Sequence, residues 1–114
     1  MFVQSILDFI QFFEKKGKET LLYTEKLWHN KIHDKEELLL AFQIMTLFYH
    51  EVLNDQCERN IQIFKEEKDL ITSISKQNTI NQIIQKINII MQQKKKIKIN
   101  VNNGLLIDKL ILDL

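Results

Sequence analysis

Three groups of side chains in this 114-residue chain have types and spacing from which chemistry could be built. His29 and His33 stand four apart and would share one helix face, the spacing of a two-histidine metal clip. Asn30-Lys31-Ile32-His33-Asp34 reads as a helix break, however, and no third ligand lies near. His50 and Cys57 are distant and isolated. Structural metal sites use about four Cys or His ligands at tight spacing, so no metal is expected here and both histidines read as solvated helix-end residues. Cys57 is followed by Glu58 and Arg59 and has no neighbouring histidine. A catalytic thiol needs a lowered pKa and a base, so Cys57 reads as a loop thiol. As the sole cysteine it makes no internal disulfide. Lys94-Lys95-Lys96-Ile97-Lys98 is the one charge run. Such a patch could contact phosphate at Lys94, Lys95, Lys96 and Lys98. It lacks interleaved aromatics, and lysines at a helix C-terminus also answer the helix dipole. Trp28 and the Phe2/Phe9/Phe13 set could line a ligand pocket, but at helical spacing they read as core. No glycine-rich phosphate loop, paired carboxylates or Ser/His/Asp set is present. The expectation is a non-enzymatic domain with no cofactor, no catalytic residue and no small-molecule substrate.

Composition sets what must hold these residues. At this length the chain is expected to form one domain, residues 1–114. Hydrophobic residues make up 45%, enough for one core, and the 27% charged fraction is that of an ordinary globular protein. There is no proline, and the two glycines, Gly17 and Gly104, sit where helices should break. So little turn chemistry predicts an all-α fold, a bundle of about five to six helices. The net charge of +1 gives no global pull toward nucleic acid or anionic membrane. The N-terminus lacks a basic region and Asp8 interrupts its apolar positions, so it does not read as a signal peptide. No apolar run approaches the roughly 20 residues of a membrane span.

Periodicity places the helices. Over 2–14, Phe2, Val3, Ile6, Leu7, Phe9, Ile10 and Phe13 lie on one arc, and Lys15-Lys16-Gly17-Lys18 closes the helix with cations and a glycine. A weaker helix over 18–30, with Leu21, Leu22, Leu27 and Trp28, should fold back on the first. Asp34 is the expected N-cap of a long central helix over 35–53, with Glu36 and Glu37 in its first turn. Leu38, Phe42, Met45, Tyr49 and Val52 share one face of it; Leu40, Ile44, Leu47 and Phe48 cover a second; Gln43, Thr46, His50 and Glu51 give the wet side. Residues 54–64 read as irregular, with Ile61, Ile63 and Phe64 pinning the loop. A short helix follows over 65–76. Asn78 is then expected to cap a helix whose stripe is Ile80, Ile83, Ile84, Ile87, Ile90 and Met91, with Asn81, Gln82, Gln85, Lys86, Asn88 and Gln92 in water. After an Asn/Gly break, a terminal helix over 104–114 has Leu106, Ile107, Leu110, Ile111 and Leu114 on one face. Leu105 and Leu112 form a second stripe beside Asp108 and Lys109. This helix holds more aliphatic surface than one buried stripe accommodates, so Leu105 and Leu112 are expected to be exposed and available to another chain.

From Phe42 onward the order of features resembles a known family. They are Leu47-Phe48-Tyr49-His50-Glu51-Val52-Leu53, the insert Ile61-Gln62-Ile63-Phe64, the polar-capped helix beginning Ile80-Asn81-Gln82-Ile83, and Asn100-Val101-Asn102 leading into Leu105-Leu106-Ile107-Asp108-Lys109-Leu110-Ile111-Leu112. Together they are similar to the C-terminal collar domain of the delta-prime subunit of the bacterial DNA polymerase III clamp loader. His50-Glu51 stands where that family often has Arg-Asp. The resemblance implies a domain that joins related subunits in a five-membered ring, for loading the sliding clamp during DNA replication. It implies tau/gamma and delta subunits as partners, contact with DNA only through them, no membrane, and a cytoplasmic location with the replication machinery. It also implies an ATP-binding AAA+ module, which these 114 residues do not contain, so no catalytic role carries over. The residues expected at the subunit interface are Asn100, Asn102, Leu105, Asp108 and Leu112. The alternatives are the collar domain of the delta or tau/gamma subunit, and a small nucleic-acid-binding helical module using Lys94–Lys98.

Overall fold

The computed structural model describes residues 2–20, 34–97 and 103–114, with the side chains of 103–105 excepted. The expected helix over 18–30 and its hairpin with the first helix therefore lie, beyond Thr20, outside the described residues. Within them the chain is an all-α bundle: α1 (Phe2–Lys16), α2 (Lys35–Gln56), α3 (Lys68–Gln77), α4 (Ile80–Lys96) and α5 (Asn103–Asp113). Short 3-10 turns occupy Gly17–Glu19 and Lys65–Glu67.

Each terminus has a local cause. α1 ends in Lys15 and Lys16, and Gly17 takes the left-handed backbone (φ +59°) that a glycine adopts without penalty. Asp34 caps α2: its side chain accepts the Glu37 amide at 2.8 Å. At the other end α2 runs three residues past the expected Leu53. It stops in a Schellman arrangement, with the Arg59 amide on the Asn54 carbonyl (2.7 Å) and the Glu58 amide on that of Asp55 (3.1 Å). Glu58 holds the left-handed position there (φ +60°), where glycine is the usual occupant. The start of α4 corrects the sequence expectation. Thr79, not Asn78, is the N-cap, and with Gln82 it forms a reciprocal capping box. Asn78 instead terminates α3 and is used inside the bundle.

α2 is the central helix and packs against α1, α3 and α4, while α5 rests on α4 and on the Gly17–Glu19 turn. Leu38, Phe42, Met45, Tyr49 and Val52 are all buried, together with Phe9, Ile10, Ile71, Ile74, Ile83, Ile90, Leu110 and Ile111. Phe48 meets Tyr49 and Phe64 edge-on, at centroid distances of 6.0 and 5.5 Å. The expected second face of α2 divides: Ile44 and Phe48 are buried, whereas Leu40 and Leu47 are exposed. The stripe on α4 is narrower than its pattern suggested. Ile83, Ile87 and Ile90 are inside, while Ile80, Ile84 and Met91 line one exposed edge.

Two expected water-facing residues are inside, and one expected pin is outside. Glu51 is only 3% exposed, because its carboxylate accepts the backbone amides of Gln62 (2.9 Å) and Ile63 (3.1 Å). The loop after α2 is thus fastened by a buried acceptor as well as by Ile61 and Phe64, which pack on the core. Ile63 points outward. Lys86 turns inward as part of the cluster described next.

Candidate interaction surface

α5 is docked by its Leu106, Ile107, Leu110 and Ile111 side, all buried. Leu114 packs partly against the same core. Beneath it, Gln93 of α4 is nearly enclosed and donates through Nε2 to Asp113 Oδ2 at 3.3 Å. At 100° per residue Leu112 falls almost opposite the centre of this buried arc, and it is 50% exposed. Asp108 is half-buried at the edge of the arc. Of the other expected interface residues, Asn100 and Asn102 lie outside the described residues, as does the side chain of Leu105.

The lysine run divides in the same way. Lys94 is half-buried, Lys95 and Lys96 are exposed, and Lys98 lies outside the described residues. Lys94 and Lys95 do not form an isolated basic patch. With Leu39 and Thr46 of α2 and Met91 of α4 they line a groove of about 450 Å³. Thr46 donates its hydroxyl to the Phe42 carbonyl one turn back (2.8 Å), so its polar atom is already spent on the backbone. The described lining of the groove is therefore largely hydrocarbon, with two lysines on its α4 side.

Sequence reasoning missed a buried polar cluster at the other end of α4. Glu14 Oε2 accepts from the Tyr49 hydroxyl (2.8 Å) and from Lys86 Nζ (2.7 Å); its Oε1 accepts from Asn78 Nδ2 (2.9 Å). Lys86 also donates to Asn78 Oδ1 (3.0 Å) and lies over the rings of Phe13 (5.5 Å) and Tyr49 (5.8 Å). The Lys86 and Glu14 side chains are only 14% and 6% exposed. Desolvation first, then the Glu14 carboxylate and its hydrogen bond, hold the Tyr49 hydroxyl well above its ordinary pKa. It stays a proton donor to Glu14. A signal for this cluster was present in the helical wheel. Glu14 follows Leu7 by seven and Ile10 by four and falls inside the apolar arc of α1, while Lys86, three after Ile83 and four before Ile90, lies at the margin of the α4 stripe.

This cluster satisfies its own members and offers no free nucleophile or base to a substrate. Among the described residues no group of three or more His, Cys, Asp or Glu could hold a metal, and Cys57 is an exposed free thiol. His29 and His33 lie outside the described residues. No helix among the described residues is long and apolar enough to cross a membrane. Among the described residues the exposed aliphatic groups include Leu112 on α5, Leu40 and Leu47 on α2, and Met91 in the groove between α2 and α4. Comparison with protein-family models, with curated proteins and with solved structures gives no match to this chain.

Proposed function

We propose that this chain is a non-catalytic subunit-assembly domain, the collar domain of the delta-prime subunit of a bacterial DNA polymerase III clamp loader. It would hold the subunit in a pentameric ring with tau/gamma and delta while the sliding clamp is loaded in the cytoplasm. Three features support the reading: the residue patterns at 47–53 and 100–112, an all-α bundle around one central helix, and a terminal helix with surplus aliphatic surface. The observation that carries it is Leu112, half exposed on the side of α5 opposite the buried Leu106/Ile107/Leu110/Ile111 arc. The mechanism is burial. A leucine moved from water into a well-packed interface contributes on the order of 1–3 kcal/mol of association.

Capture of this domain by purified tau/gamma and delta subunits tests the proposal, with wild type compared against Leu105→Asp and Leu112→Asp. Leu112→Asp should fold normally and be captured at least about tenfold more weakly, the ratio that about 1.4 kcal/mol of association represents. Equal capture of a folded Leu112→Asp variant, or no capture of wild type, rejects the assignment. Direct binding to the sliding clamp would favour the collar domain of delta instead.

A further inference from the structure

We propose that the groove between α2 and α4 is a docking site for an amphipathic helix of another protein, one that carries carboxylates beside its apolar stripe. This site is separate from α5 and does not depend on the clamp-loader reading. Among the described residues it is lined by Leu39 and Thr46 on the α2 side and by Met91, Lys94 and Lys95 on the α4 side. Leu39 and Thr46 are seven residues apart on α2, so the apolar part extends about 10 Å, which fits anchors at i, i+4 and i+7 of an inserted helix. Met91 is 44% exposed, on the edge of α4 that also carries the exposed Ile80 and Ile84. Its flexible thioether suits a wall that must adapt to a ligand side chain.

The charge at the rim selects the occupant. Among the described residues no carboxylate pairs with Lys94 or Lys95; the ion pair found there is Lys86 with Glu14. Lys94 is half-buried, as expected when a lysine lays its aliphatic stem along the groove and keeps its charged head in water at the rim. An apolar groove flanked by two cations that no described carboxylate pairs is complementary to an aliphatic stripe flanked by acidic residues. A duplex nucleic acid would use the lysines and leave Leu39 and Met91 without a partner. The α4 edge of a second copy would not supply the carboxylates, because its exposed Ile80, Ile84 and Met91 are flanked by Asn, Gln and Lys.

The probe is a fluorescein-labelled, hydrocarbon-stapled helix of about 14 residues, about 21 Å long. It carries leucines at i, i+4 and i+7 and two glutamates at one end. A second version replaces the glutamates with lysines, and a third scrambles the leucines. The acidic version should bind this domain at least about tenfold tighter than the basic one at low salt, with the preference shrinking as salt rises. Methyl NMR shifts should concentrate at Leu39, Thr46 and Met91. Lys94→Glu/Lys95→Glu should invert the charge preference, and Met91→Glu should weaken binding of the acidic probe; circular dichroism should show both variants folded. No binding, equal binding of all three probes, or methyl shifts centred away from the groove overturns the proposal. So does concentration-dependent broadening of the groove methyls in the protein alone, which would make a second copy the occupant. Displacement of the acidic probe by duplex DNA with shifts confined to the lysines would overturn it as well.

Discussion

The two ends of α4 solve opposite problems. Near its start, Lys86 is drawn inward and enclosed with Glu14, Asn78 and Tyr49, so that charge lies inside the bundle with each group hydrogen-bonded to another. Near its finish, Met91 and the neighbouring groove leave hydrocarbon in water, and Gln93 seats a terminal helix whose Leu112 also faces out. At the first end the polar cluster satisfies its own members, although Ile80 and Ile84 stand exposed on the outer edge. The second has apolar surface that no described part of the chain covers. Buried polar groups that satisfy one another specify one arrangement of the helices, whereas exposed apolar clusters mark places where another molecule fits.

The contrast can be broken most forcefully at Glu14. Glu14→Ala should destabilise the domain by about 3–5 kcal/mol, because it leaves Lys86 buried without its counter-charge and strips Tyr49 and Asn78 of an acceptor. Urea unfolding measures this, and Glu14→Leu combined with Lys86→Leu should recover much of the loss. A loss below about 1 kcal/mol for Glu14→Ala would mean the cluster is solvated and the two ends do not differ in kind. Next comes α5 itself. Leu110→Ala should cost about 2–5 kcal/mol of folding stability. Leu112→Ala, on the opposite side of the same helix, should stay within about 0.5 kcal/mol of wild type. Comparable losses at both positions would remove the outward face. A smaller loss than those at Glu14 and Leu110 lies at high pH. The folded state keeps the Tyr49 proton above its ordinary pKa of 10.0, while the unfolded chain releases it there. The stability tied to that proton is fully present below pH 10 and is lost above it, by up to about 1.4 kcal/mol per pH unit. Tyr49→Phe should remove this part of the alkaline slope, which parallel urea titrations at pH 9 and about pH 11 would show.

Much of the bundle was legible because helical periodicity is a strong signal. α1, α2 and α5 appear close to where their apolar arcs predicted, and Asp34 caps α2 through the short polar side chain that suits this role. What could not be read was set by tertiary packing. Period alone assigns a polar residue such as Glu51 or Lys86 to the wet side; only the approach of the 62–63 backbone and of Glu14 turns them inward. Asn78 and Thr79 are adjacent and both suit an N-cap; the choice of Thr79 follows from the demand that Asn78 reach Glu14 and Lys86. The width of the apolar stripe on α4 was overestimated for the converse reason. Ile80, Ile84 and Met91 have the right period but no described neighbour to cover them. Of the candidate site, the outward position of Leu112 was visible in the wheel, whereas the groove required two helices to be set side by side.

Glu14 and Lys86 are separated by 72 positions along the chain, and one carboxylate joins the first helix to the fourth. A truncation that begins at α2 would therefore do more than trim a surface helix. It would strand an ammonium ion in the interior and remove the acceptor of a fully enclosed phenol. Such a shortened polypeptide should stay unfolded until a synthetic peptide of residues 1–20 is added back, and the regained helicity should depend on residue 14 being an acid.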